Sequence, residues 1–265
     1  MKNIQSFFFN LTSQYFKKTT YLLHSIHFLI FIMLSIPFTI YLCTILLTSK
    51  TLRTTSSNNP FSQDNLIPSS LSSPSPTIII DPGHGGRDPG KVGTSGTLEK
   101  ELNLQISMLL KNLLEAQNVK VLMTREEDKD LSQTSANFKA SDMKERVAFI
   151  QESHADLVIS IHQNSYTEPE VYGAQCFYHT DSIEGKKLAA AIQNQIIVST
   201  SQTKIRPIKE NSDYYLLKHS PVPTIIVECG FLSCPDEEKL LLSEEYQHKM
   251  AWAIHLGILQ YFNQT

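Results

Sequence analysis

Three consecutive β-branched residues, Ile78-Ile79-Ile80, run straight into Asp81-Pro82-Gly83-His84-Gly85-Gly86-Arg87-Asp88-Pro89-Gly90. An unbroken apolar run of this kind fits a strand covered on both faces, because a half-exposed strand would alternate with polar residues. The Pro and Gly residues that follow stop the strand and permit unusual backbone angles. One histidine is thereby delivered at the C-terminal end of a strand, where open α/β sheets tend to place their function. Taken alone, His84 reads more readily as a solvated turn residue than as a metal ligand.

Three later segments change that balance. Glu99 stands at the entry to an amphipathic helix whose apolar residues Leu102, Ile106, Leu109, Leu110, Leu113 and Leu114 recur at helical spacing up to about Ala116. By itself Glu99 is accounted for as an acid compensating the helix dipole. Leu157-Val158-Ile159-Ser160-Ile161 is a second buried strand and hands over His162-Gln163-Asn164-Ser165. Two imidazoles and one carboxylate, all at element ends, form the open three-ligand set of a catalytic zinc site, although no compact motif such as H-E-x-x-H is present. A further apolar strand, Pro223-Thr224-Ile225-Ile226-Val227, ends in Glu228. That carboxylate is available as a general base for water acidified by the metal. Burial would raise its pKa and a nearby cation would lower it.

These segments resemble the zinc-dependent N-acetylmuramoyl-L-alanine amidases of bacterial cell walls, a family with a single α/β catalytic unit. The resemblance runs from Thr77 to the C-terminus. It is carried by Asp81 to Gly90, by Glu99-Lys100, by Ser160 to Asn164 and by Glu228-Cys229-Gly230-Phe231-Leu232. It implies one Zn2+ ion held by His84, Glu99 and His162, with Glu228 as the catalytic glutamate. It further implies hydrolysis of the amide joining the muramoyl lactyl group to L-alanine in peptidoglycan stem peptides. Ser165 and Cys234 depart from the family's usual Ala and Asn. The short chain, the lack of wall-binding repeats and the segment Tyr246-Gln247-His248-Lys249 resemble the sporulation-type amidases of endospore formers, which prepare cortex for muramic-δ-lactam formation. Other readings are a division or autolytic amidase, a zinc peptidase cutting within the stem peptide, and an inactive wall-binding regulatory module. Only residues 165–174 separate the His162 loop from the next strand, too few for the inhibitory helical insertion of some family members. Control then falls to timing, location or an unidentified activating protein.

Other polar residues are open to two readings. Arg146, beside the apolar stripe Met143, Val147 and Ile150, either contacts a substrate carboxylate or pairs with a structural acid, and the same holds for Arg125. Asn164 either orients a substrate amide or holds its loop. Tyr214, with Tyr215 and Leu216, either lines a glycopeptide groove or belongs to the core. Cys229 and Cys234 are nearer to small apolar core residues than to a bridge or a zinc contact.

Alternating strands and helices predict a mostly parallel, twisted sheet with helices on both faces in one catalytic domain, residues 77–265. Strands are expected at Val119–Thr124 and Ala174–Tyr178, and helices at Ser141–Glu152 (capped by Ser141), Ile183–Val198 and Glu244–Phe262. Upstream, no Asp, Glu, Lys or Arg occurs from Thr19 to Ser49, and Phe28–Leu47 holds enough apolar residues to cross a bilayer. We read residues 1–20 as a cytoplasmic tail, 21–49 as an uncleaved transmembrane helix rather than a signal peptide, and 50–76 as a Ser/Thr/Pro-rich tether. The catalytic domain is then expected outside the cytoplasm, on the wall or the intermembrane forespore side. A net charge of −3 without a basic stripe gives no case for nucleic-acid binding.

Overall fold

The computed structural model describes residues 75–134, 136–200 and 204–264. The expected tail, membrane helix and nearly all of the linker lie outside them. Among the described residues no helix is long and apolar enough to cross a membrane.

In chain order the elements are β1 (Thr77–Pro82), α1 (Glu99–Glu115), β2 (Lys120–Met123), α2 (Phe138–Ser153), β3 (Leu157–Asn164) and β4 (Gln175–Tyr178). There follow α3 (Ile183–Ser199), β5 (Lys209–Glu210), α4 (Tyr215–His219), β6 (Thr224–Phe231), α5 (Pro235–Leu241) and α6 (Glu244–Gln264). They build one α/β domain around a six-stranded sheet in the order β2-β1-β3-β6-β4-β5. The first four strands are mutually parallel. β4 runs antiparallel to β6, and β5 follows β4, so the sheet is mixed. The reversal has a local cause. A parallel return needs a crossover of about a dozen residues or more, whereas the link after β3 has no helix and re-enters the sheet from the end at which β3 stops.

The triple isoleucine serves both faces, as the period of two requires. Ile78 and Ile80 join Leu157, Ile159, Ile161, Ile225 and Val227 in the large core under α1, α3 and α6. Ile79 and Val158 face the other way and pack with Val147 and Ile150 of α2 and Leu216 of α4.

Two expectations are corrected at the helices. α2 begins at Phe138, one turn before Ser141, and its N-cap is Asn137 with φ of 50° and no side-chain cap. The Ser141 N–H donates to the Asn137 carbonyl at 3.2 Å and is therefore already intrahelical. Phe138 anchors the earlier start, its ring lying 4.7 Å from the Arg87 guanidinium carbon. The short helices α4 and α5 carry too few apolar residues for periodicity to reveal them. α3, in contrast, starts as a capping rule demands, with Ser182 Oγ accepting from the Gly185 N–H at 3.0 Å.

Helices α3 and α6 approach closely at Gly257, where a Cβ would stand 2.5 Å from the Ile192 Cα. Gly257→Ala gains about 1 kcal/mol of helix propensity, but the overlap with backbone costs about 1–3 kcal/mol. We expect a net loss of stability, read as a lower midpoint in urea unfolding; an unchanged or higher midpoint would show that the helices can part freely.

Candidate active site

The C-terminal ends of β1, β3 and β6 lie side by side in the sheet, and the start of α1 closes over them. β3 and β6 are in register at His162 and Glu228, which places the two side chains next to each other across one ladder step. β1 continues into the turn through a Gly83 N–H bond to the Ile161 carbonyl at 3.0 Å. Only glycine fits at 83, because a Cβ would come within 2.2 Å of the His162 ring. The turn then holds His84 at φ 61°, an uncommon left-handed conformation for a residue with a side chain.

This geometry brings together His84, Glu99 and His162, whose potential ligand atoms all lie within 4.8 Å of one another. Nε2 of His84 faces Glu99 Oε2 at 3.2 Å, and Nδ1 of His162 faces Glu99 Oε1 at 3.0 Å. The backbone N–H groups of Lys91 and Gln163 also donate to the Glu99 carboxylate, at 2.7 and 3.1 Å. On the far side of its ring, His84 donates Nδ1–H to Asp88 Oδ2 at 2.8 Å. Burial would raise the Glu99 carboxyl, but hydrogen bonds from His162 and His84 outweigh it and hold the group below the usual carboxylate range. His84 is opposed by burial too, yet its contacts with Glu99 and then Asp88 raise its pKa.

The donor set fits a zinc ion. Zinc bonds to nitrogen and carboxylate oxygen of about 2.0–2.2 Å put tetrahedral donors roughly 3.3 Å apart, the size of the two histidine–Glu99 contacts. A carboxylate orienting the outer nitrogen of a ligating imidazole is the usual supporting arrangement, and Asp88 occupies that place. Glu228 lies beside the cluster, 8% exposed, and its Oε2 is buried without a hydrogen-bond partner. Burial is the main influence on it, and with the charge of Glu99 it outweighs the two histidines, so the carboxyl is pushed up to about 7.

Behind the ligands sits a buried polar network. Asp81 accepts from Thr124 Oγ1 at 2.6 Å, from Ser160 Oγ at 2.7 Å and from Arg146 Nη1 at 2.5 Å. Arg146 also donates to Asp142 Oδ2, to the Pro82 carbonyl and, at 2.6 Å, to the His84 carbonyl. This corrects the substrate-contact expectation for Arg146. Its side chain is 1% exposed, and the guanidinium is engaged in holding the His84 turn. Arg125 is likewise structural, donating to the carbonyls of Pro82, Gly83 and Lys100. Asn103, which sequence reasoning passed over, donates to the Gly83 carbonyl at 3.1 Å. Its place one turn after Glu99 on the buried face of α1 was the available signal.

A cleft of about 390 Å³ opens over His84, His162 and Glu228, with Met143 and Tyr214 on its walls. An adjoining depression of about 420 Å³ shares Lys139 with it and adds Lys91, Asn164 and Ser165. Tyr214, 37% exposed, packs its ring 5.7 Å from that of Phe177. Asn164 turns its side-chain oxygen to the Ser165 N–H and its carbonyl to the Leu232 N–H; it holds its own loop at the rim. Leu216 packs in the core and also lines the cleft beside Tyr215. Cys229 and Cys234 are free, buried thiols outside the ligand cluster.

Comparison with known proteins points the same way. The model of the N-acetylmuramoyl-L-alanine amidase family matches residues 78–260. The germination-specific N-acetylmuramoyl-L-alanine amidase of Bacillus subtilis (strain 168) is 38% identical over 205 residues, 76% of this chain and 86% of that protein. The CwlD amidase from Clostridioides difficile, solved in complex with the GerS lipoprotein, superposes with a TM-score of 0.70 at 39% identity, over 72% of this chain and all of that one (100%). An N-acetylmuramoyl-L-alanine amidase from Clostridium difficile 630 gives a TM-score of 0.66 at 34% identity, over 72% of this chain and 98% of that one.

The Asp81–Arg146 pair yields a stability prediction. Arg146→Met leaves Asp81 buried and uncompensated and should cost about 3–5 kcal/mol at neutral pH, whereas Asp81→Asn together with Arg146→Met should cost less. Burial alone would raise the Asp81 carboxyl, but Arg146, Thr124 and Ser160 lower it to about 2 from 3.8. Its stabilisation, about 2 kcal/mol, is full above the unfolded value and is lost as the pH falls through about 2. Urea midpoints of the three proteins between pH 7 and pH 2 check this, and equal losses in the single and double variants would contradict it.

Proposed function

This chain belongs to the N-acetylmuramoyl-L-alanine amidase family, and from that premise we propose that it hydrolyses the amide between the muramoyl lactyl group and L-alanine of peptidoglycan stem peptides. In this reading His84, Glu99 and His162 hold one zinc ion and Glu228 is the acid–base residue. The observation that carries it is the convergence of three ligand side chains beside a buried carboxylate with an unpartnered oxygen.

When bound, zinc supplies Lewis acidity that polarises a carbonyl and acidifies water. The chain's own residues do the rest. Asp88 accepts a hydrogen bond from His84 Nδ1–H, which fixes the ring so that Nε2, the nitrogen facing Glu99, is the one that would be offered to zinc once deprotonated. Glu228 accepts the water proton on its free Oε2 and returns it to the departing L-alanine nitrogen. Its poise near 7 in a buried setting suits both halves of that transfer, and a cation alongside draws the value down toward the ionised, proton-accepting form. In the same reading Tyr214, at the rim of the cleft, meets the glycopeptide, and Asn164 shapes the rim beside it.

The biological setting is proposed on the likeness to the Bacillus subtilis relative, which is described as germination-specific. It is maturation of spore cortex, in which removal of stem peptides precedes muramic-δ-lactam formation. We place the catalytic domain on the extracytoplasmic side, tethered by residues 50–76 to a membrane helix within 21–49, with residues 1–20 in the cytoplasm. Because a structural relative was solved with a lipoprotein, a protein partner is part of the same proposal.

Purified protein incubated with zinc and muropeptides should release intact stem peptides with a free L-alanine amine, identified by mass spectrometry; fragments cut within the peptide would reject the reading. Glu228→Gln should keep its zinc and its fold while losing at least about 100-fold in rate, and His84→Ala or His162→Ala should lose zinc by metal analysis. In protoplasts of vegetative cells made to express the chain, protease added from outside should digest the catalytic domain but leave a membrane-held fragment; complete protection would overturn the topology.

A further inference from the structure

Helix α5 carries two consecutive buried glutamates, and the catalytic scheme uses neither. Glu237 accepts from the Gly173 and Phe231 N–H groups and so ties the link after β3 to the end of β6. Glu238, 2% exposed, reaches in another direction, to a loop 144 positions upstream in sequence. There its carboxylate accepts from Thr94 Oγ1, from the Ser95 N–H at 3.1 Å and from Ser95 Oγ at 2.7 Å. The carboxylate also packs directly on Gly93, where a Cβ would stand 2.1 Å from Glu238 Oε1 and displace it.

That loop is a miniature hairpin, closed by Gly93 N–H to the Thr97 carbonyl at 2.8 Å and by the Val92–Leu98 bridge. Its two ends meet at Glu99. The Glu99 N–H donates to the Lys91 carbonyl at 2.9 Å, and the Lys91 N–H donates to Glu99 Oε2 at 2.7 Å, the oxygen that faces His84. The hairpin therefore fixes the backbone of Glu99 and holds Oε2, while the Gln163 N–H holds Oε1, and Glu238 fastens the hairpin tip to the domain.

We infer that Glu238 is a positioning residue that, through the Lys91–Leu98 hairpin, presents the Glu99 carboxylate to the metal. The inference rests on the proposed zinc reading of His84, Glu99 and His162. Groups that orient a metal ligand from outside the coordination shell typically contribute 10–100-fold to metal affinity, and an effect relayed through a hairpin belongs at the lower end of that range.

The test is zinc affinity of the purified chain, measured by competition with a chelator, alongside thermal unfolding without metal. Glu238→Ala should bind zinc about tenfold more weakly. Glu238→Gln, whose amide oxygen still accepts from Ser95, should recover most of that loss. Gly257→Ala serves as a control for lost stability alone and should bind as wild type does. Should Glu238→Ala fail to fold, Thr94→Val combined with Ser95→Ala loosens the same tip from the other side and should weaken zinc binding several-fold. Zinc affinity within twofold of wild type in a folded Glu238→Ala or Thr94→Val/Ser95→Ala protein would overturn the inference and leave the zinc reading standing. Wild-type protein that binds no zinc would instead overturn that reading, and this inference with it.

Discussion

The ion pair between Asp81 and Arg146, almost wholly removed from water, is what the rest of the site is built upon. Charges in such a place are tolerated only when their hydrogen-bonding capacity is met, and here the satisfying groups come from different elements. Thr124 follows β2, Ser160 belongs to β3, and Asp142 and Arg146 lie on α2. Satisfying one carboxylate thus locks three strand ends and a helix into a single arrangement. The surplus N–H groups of Arg146 and Arg125 then grip the carbonyls of Pro82, Gly83 and His84. A left-handed histidine costs on the order of 1–3 kcal/mol and persists only where the surroundings insist on it.

Packing and chemistry meet at the same few residues. The isoleucines of β1 fill both cores, so the strand cannot slide, and its end is where Gly83 lets the His162 ring come close. Glu228 has little water and an orphaned oxygen because β6 is buried along its whole length. The burial that makes this strand a core element is also the cause of the raised carboxyl pKa.

Much of this was legible in the sequence because it is local. Strand runs ending in His84, His162 and Glu228, and a helix opening at Glu99, announce themselves by period and by punctuation. Less legible was everything that depends on pairs distant in sequence. Arg146 stays open between a substrate contact and a structural pair until Asp81, 65 positions away, takes its guanidinium. The direction of β4 is hidden in the shortness of the link before it. Ser141 obeys a capping rule that Phe138 overrides by packing against Arg87. Helix α5 is too short to show a period, so nothing in the sequence marks its pair of glutamates, Glu237 and Glu238, as buried.

The registration of His162 with Glu228 has a bearing on how such a site tolerates change. Neighbouring strands sit about 4.8 Å apart, so the gap between a ligand and the base is inherited from the backbone ladder and not from side-chain packing. Core residues along β3 and β6 can drift among apolar types while that gap stays constant. A single inserted or deleted residue between Thr224 and Glu228 would turn the glutamate to the opposite face. The geometry is thus tolerant of apolar substitution along these strands and brittle to changes of their length.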